Sequence, residues 1–105
     1  MSRPFSYSDE NFTVIGNVLF CHIYIKKKIL KYDPIVEIPT EIYARMLFST
    51  QKFNCESYAL NVIFNTNIID VGVTKLKDKK YYLFAGVDIK DIQTYLTGYF
   101  ILKDI

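Results

Sequence analysis

Chemistry in this chain has to be assembled from one histidine, two cysteines and eleven carboxylates. His22 is the single side chain whose ordinary pKa lies near neutral pH, so it is the one candidate general base or charge switch. It directly follows Cys21. Neighbours in an extended segment point to opposite faces, so these two cannot form a nucleophile–base pair. Cys55 stands beside Glu56 in a stretch expected to be a loop, 53–57, and no spacing ties it to His22. A zinc site needs about four nitrogen or sulfur ligands at close spacing, and the chain offers three in all. Asp70, Asp88 and Asp91 are the available acid–base pairs, because a hairpin centred near Asp78 would bring 70 close to 87. Acids at strand ends ordinarily cap turns instead. The four glycines, at 16, 72, 86 and 98, form no G-x-G or G-K-[ST] phosphate cradle. No catalytic residue, metal site or cofactor is expected.

Charge patterning says more. The formal charge is +2, yet Lys26, Lys27, Lys28 and Lys31 crowd into six residues, and Lys75, Lys77, Lys79 and Lys80 crowd around Asp78. Tyr24, Tyr32, Tyr81 and Tyr82 flank these lysines. Aromatic rings beside ammonium groups are what a single-stranded nucleic-acid platform uses. Against that, the two arginines lie outside both clusters and no RNA- or DNA-binding motif is present. Lysines also guard exposed strand edges and hairpin tips against aggregation. Seventeen aromatics, nine of them tyrosine, fit a surface that docks on another protein.

The elements that must position these groups fit one domain. A chain of 105 residues and 12.3 kDa scales to roughly 6,100 Å² of folded surface, enough burial for a core without disulfides. The two cysteines make no disulfide scaffold. The N-terminus lacks the apolar stretch of a signal peptide. The longest apolar run, Val18 to Ile25, is far short of the ~20 residues of a spanning helix. An intracellular, cytoplasmic location follows as the expectation, and the Asn11-Phe12-Thr13 sequon would stay unmodified. Residues favoured by AT-rich codons (Phe, Tyr, Met, Ile, Asn, Lys) number 50, against 12 for Gly, Ala, Arg and Pro. That points to an AT-rich genome, of a low-GC bacterium, a phage, a large DNA virus or a protist; small size without catalytic equipment makes a phage, virus or mobile element the expected source.

Residues 1–10 read as a loose arm and 11–105 as the domain. Gly16-Asn17 between two apolar runs suits a type II′ hairpin turn. In the second run Leu19, Cys21, Ile23 and Ile25 share an apolar face. Val18, Phe20, His22 and Tyr24 share an amphipathic one. Asp33-Pro34 breaks the next extended stretch and places it at an edge or bend. Ile42, Tyr43, Met46 and Leu47 recur at helical spacing after Thr40, a potential N-cap, so a main helix is predicted over 40–52. Tyr58 to Asn65 alternates as a strand, Asn65-Thr66-Asn67 reads as a turn, and Lys77-Asp78-Lys79 as a hairpin tip. Asp88 would cap a short second helix near 89–97, followed by a strand after Gly98. The expected class is therefore α+β: a largely antiparallel sheet packed on one helix.

The function expected is a small non-enzymatic protein-binding accessory factor of the inhibitor, immunity or anti-defence type. Its candidate binding surface comprises Tyr24, Lys26, Lys27, Lys28, Lys31, Lys75, Lys77, Lys79, Lys80, Tyr81 and Tyr82. The expected partner is another protein with an acidic surface. The alternative is single-stranded nucleic-acid binding through Lys clusters 26–31 and 75–80.

Overall fold

The computed structural model describes residues 6–91 and 93–103. Its first hairpin follows directly from the sequence. Gly16 takes φ +60°, Asn17 does not, and Ile15 faces Val18, which is the type II′ pattern. The hairpin joins β2 (Phe12–Ile15) to β3 (Val18–Ile25). Ordered pairing begins earlier, inside the stretch expected to be a loose arm, since β1 (Tyr7–Ser8) pairs with Val14 and Thr13. Asp9 turns the chain there: its Oδ1 accepts the N–H groups of Asn11 at 2.8 Å and Phe12 at 2.7 Å. Tyr7 donates to its Oδ2 at 2.8 Å. Burial alone would raise the Asp9 pKa, but these donors outweigh it and hold the carboxyl below its usual value.

Five more strands complete one antiparallel sheet: β4 (Pro34–Ile38), β5 (Thr50–Ala59), β6 (Val62–Lys75), β7 (Tyr81–Ala85) and β8 (Thr94–Ile101). The spatial order is β1-β2-β3-β8-β5-β6-β7-β4, and the sheet curls into a half-barrel. Its inner face carries the core. The alternation of β3 places Leu19, Cys21, Ile23 and Ile25 inside, where they meet Phe53, Val71, Leu83, Leu96 and Phe100. Pro34 and a register shift mark β4 as an edge strand, as the sequence implies. Among the described residues no helix is long and apolar enough to cross a membrane.

The α+β expectation is overturned. Strands take up 62% and helix 4%, and the helix predicted over 40–52 shrinks to one turn, α1 (Thr40–Tyr43), whose N-cap is Pro39 rather than Thr40. The reason lies in where the next backbone groups go. Leu47 N–H donates to Ile101, Lys103 N–H donates to Arg45, and Met46 bridges Leu102. A thirteen-residue helix is marginal by itself, and the C-terminal strand offers these groups partners that a helix would forgo. Ile42 and Met46 are still buried, so the helical spacing reported burial correctly and conformation wrongly. The second helix near 89–97 is replaced in the same way. Ile89 bridges Ile29 and β8 begins at Thr94, with Ile92 outside the described residues.

The expected loop 53–57 lies in the middle of β5, and the expected turn 65–67 in the middle of β6. The true reversal is Leu60-Asn61, both in the left-handed region at φ 51° and 63°, with Ala59 facing Val62. This is a type I′ geometry, which favours Asn and disfavours Leu. The β5–β6 hairpin is long. β6 alone would span roughly 46 Å at ~3.3 Å per residue, against a longest molecular dimension of 49 Å. It also explains an accessible surface of 7017 Å², above the ~6,100 Å² expected for this mass.

Candidate functional site

The outer face of the sheet can be laid out from the strand registers. Phe20 faces Tyr99, His22 faces Thr97 and Tyr24 faces Tyr95 across β3 and β8. Thr97 in turn faces Asn54, and Tyr95 faces Glu56, across β8 and β5. The aromatic side chains of these rows touch one another. Tyr95 stacks with His22 at 5.2 Å between centroids and with Tyr24 at 4.7 Å, and Tyr58 meets it edge-on at 5.5 Å. Phe20 and Tyr99 lie 6.4 Å apart further up the same face. Around the cluster opens a shallow hollow of about 400 Å³, whose lining includes His22, Tyr24, Glu56, Tyr58, Tyr95 and, from the β5–β6 turn, Asn61. Tyr58 donates to Glu56 at 3.1 Å. Desolvation first, and then this bond, lift its phenol above the ordinary value. Lys26 places its Nζ 5.5 Å from the Tyr24 ring, so the cluster has a basic rim at one end.

Of this face the sequence singled out Tyr24 and its lysine neighbours and marked Phe20, His22 and Tyr24 as an amphipathic row. It missed Tyr58, Tyr95 and Tyr99 as parts of one surface. Their alternation in β5 and β8 was the available signal, obscured by the helix expected near 89–97.

The two lysine clusters are not brought together. Ile29 bridges Ile89 and Lys31 N–H donates to Asp88 Oδ1 at 2.7 Å, whereas Lys75 faces Tyr81. The clusters therefore sit beyond opposite ends of β7, on the order of 20 Å apart. Screening acts over ~10 Å at 0.1 M salt, so they behave as separate charges. Tyr81 and Tyr82 are also engaged. Tyr81 stacks on Tyr43 with centroids 3.7 Å apart, and Lys75 lies 5.8 Å from its ring. Tyr82 donates to Asp78 Oδ2 at 2.6 Å, and Lys80 N–H donates to Asp78 Oδ1 at 2.9 Å. These bonds fix the lysine hairpin tip, where Lys79 adopts φ 65°. Lys80 lies 3.9 Å from Glu37.

The Asp78 bond, with desolvation second, pushes the Tyr82 phenol up to about 12. The bonds from Tyr82 and the Lys80 amide hold the Asp78 carboxyl below its usual range. The Asp78 contribution to hairpin order is present above its unfolded pKa of about 3.9 and lost as pH falls through the lower folded value. The Tyr82 contribution is full below about 10 and lost as pH rises through about 12. In a phenolate absorbance titration, Tyr82→Phe should remove a component with a midpoint near 12, and Asp78→Asn should move that component toward 10. An unchanged late component in Asp78→Asn would show that the bond does not set it.

The residues with nucleophilic or acid–base potential are dispersed. Cys21 and His22 point to opposite faces, the first buried and the second exposed. Asp70 pairs with Lys52, while Asp88 holds the Lys31 amide. Among the described residues no three His, Cys, Asp or Glu side chains converge as a metal site. Burial pushes the Cys21 thiol up to about 12, and burial followed by the Asp91 charge raises Cys55. Both effects disfavour the thiolate. Both cysteines are free and buried on the inner face, so Cys55 does not occupy the exposed loop the sequence suggested. It borders a small hollow of about 160 Å³ beside Asn65, Asn67 and Asp91. Neither thiol should react with Ellman's reagent within minutes under native conditions, and Cys55 should precede Cys21 on longer exposure. Denaturant should release both, and fast native labelling of Cys21 would refute the inner-face assignment.

Compared with known proteins, the chain matches no protein family, no curated protein and no solved structure.

Proposed function

We propose that this chain is a small protein-binding accessory factor, of the inhibitor or immunity type, that docks on another protein through the outer face of β3, β8 and β5. The observation that carries this reading is the Tyr95 cluster, in which His22, Tyr24 and Tyr58 all contact one ring. Tyrosines held by their neighbours give large contact area at low entropic cost, the composition of interface cores. Lys26 and Lys27, which border a hollow with His22 and Tyr24, suit a partner with acidic residues opposite them. Free thiols and AT-rich composition favour an intracellular protein of a phage, virus or mobile element.

Binding of single-stranded nucleic acid is less well supported. A stacking platform needs open ring faces, whereas the rings of His22, Tyr24 and Tyr95 lie against one another. Glu56 stands beside them, and the separated lysine clusters do not track a continuous phosphate backbone.

The test is capture of the partner from the source cells, followed by titration of the purified pair at about 0.05 M and 0.5 M salt. An oligothymidylate is titrated in parallel. Partner affinity is expected to change by less than about tenfold with salt and to survive replacement of Lys75, Lys77, Lys79 and Lys80 by Ser. Oligothymidylate binding in the micromolar range, falling steeply with salt, would replace the protein reading with the nucleic-acid one.

A further inference from the structure

From Ser57 to Ile69 the chain runs thirteen residues without a charge, a proline or a glycine. Most of this stretch forms the far part of the β5–β6 hairpin, and Val62 to Ile68 are all exposed. On one side β6 pairs with β5 throughout. On the other it pairs with β7 only from Val71 onward, and Gly86 N–H closes the ladder on the Asp70 carbonyl. Backbone groups alternate sides along an antiparallel strand. Thr66 and Ile68 therefore direct N–H and C=O to the same side as Asp70, where, among the described residues, no strand pairs with them.

Such an edge invites pairing, and the terminal strands of this sheet are protected in ordinary ways. β1 is two residues long, and β4 carries Pro34, Glu37 and a register shift. The β6 edge shares only the register shift, at Phe64 opposite Ser57 and Tyr58; beyond it, from Asn65 to Ile69, it carries no proline and no charge. It adds apolar side chains whose exposure runs from 48% for Ile63, through 55% for Phe64 and 71% for Ile68, to 94% for Leu60. With Val62, and taking ~150–220 Å² for each side chain of this size, they present about 600 Å² per copy.

We propose that two copies of this chain pair antiparallel along β6, about Thr66, and so join their sheets. An antiparallel edge is its own complement under a two-fold axis, so the same groups serve both copies. The lack of charge means that two identical segments meet without repulsion. An edge awaiting a charged partner strand would be expected to carry the complementary charge. Full burial of this apolar surface on both copies would cover about 1,200 Å², an upper value that reaches the lower end of stable interfaces. Pairing also consumes the unguarded edge, so assembly stops at two. The hairpin also carries Tyr58 of the Tyr95 cluster, but pairing uses the backbone edge of β6 on the side away from β5, so Ile68→Lys tests the dimer and Tyr95→Ala tests the proposed function.

The test is sedimentation equilibrium of the reduced full chain from about 1 to 200 µM, with hydrogen exchange at both limits. Wild type is expected to form a dimer, with the Thr66 and Ile68 amides gaining protection as concentration rises. Ile68→Lys places a charge on the exposed segment, and Thr66→Pro removes an N–H that β5 does not use. Each should weaken the dimer at least ~100-fold, and Ile68→Lys should keep the wild-type circular dichroism spectrum. A wild-type monomer at 200 µM, or a dimer unaffected by Ile68→Lys, would overturn the proposal. Edge protection that arises only on adding a foreign extended peptide would also overturn it, assigning the edge to a different strand.

Discussion

Gly98→Ala is expected to destabilise the fold by about 2–3 kcal/mol, a large effect for one added methyl group. A Cβ built at Gly98 would lie 2.6 Å from Phe53 Cγ and closer still to its Cδ1. These atoms are at the root of the ring, so no swing of a flexible tip can clear them. Phe53 is itself fixed, being 1% exposed and 5.5 Å from the Phe100 ring. The glycine is therefore the space that the ring occupies, an aromatic side chain covering a bare strand position. Gly72 supplies the control. Its added Cβ would meet Phe84 at Cζ, 2.6 Å away, the far end of a ring that is only half-buried. Gly72→Ala should cost about 1 kcal/mol or less, because Phe84 can rotate outward and alanine suits a strand better than glycine. Urea unfolding of the two variants should thus differ by a clear margin in midpoint at similar slope. Equal losses would show that Phe53 is free to move. Phe53→Leu in the Gly98→Ala background should recover part of the loss, since the clash and the ring are one interaction.

Neither close approach is visible in a one-dimensional pattern, and the same distinction separates what could be read from what could not. Features set by neighbours in sequence were legible. The Gly16-Asn17 turn, the alternating faces of β3, the edge position forced by Pro34 and the lysine hairpin about Asp78 all rest on chemistry within a few residues. Features set by distant partners were not. Ile42 and Met46 keep their burial at helical spacing, but the Leu47 amide is satisfied by Ile101, more than fifty residues away. Composition gives no sign of the Leu60-Asn61 turn, because leucine is a poor occupant of a left-handed position. The Asn65-Thr66-Asn67 run looked like a turn by composition alone, and its neighbours in β5 make it a strand. For the site, Tyr24 could be marked from its own strand. That Tyr95 and Tyr58 join it depends on the registers of β3 with β8 and of β8 with β5.

Tyr95→Ala should then separate binding from folding. The ring is half-buried and contacts three aromatic neighbours, pairs of this kind contributing about 0.5–1.5 kcal/mol each when well packed. Partial exposure and the freedom of His22 and Tyr24 to close over the gap reduce the total. A stability loss of about 1–2 kcal/mol is expected, compatible with a folded domain. Binding to the partner should fall much further, by at least ~30-fold, or about 2 kcal/mol. The ring lies at the centre of the cluster, and removing it also releases the orientation of Tyr24 and Tyr58. Tyr95→Phe keeps the ring and its contacts, so its affinity should stay within about threefold of wild type. Tyr32→Ala is the matched control, because Tyr32 is an exposed tyrosine that packs on Phe84 near β4, away from the cluster. It should bind as wild type does. Equal affinities for Tyr95→Ala and Tyr32→Ala would remove the outer face of β3, β8 and β5 as the docking surface. A stability loss for Tyr95→Ala as large as that of Gly98→Ala would assign the cluster to holding the sheet instead. The order expected is a small loss of stability with a large loss of affinity, because the cluster lies outside the core and its centre faces the partner.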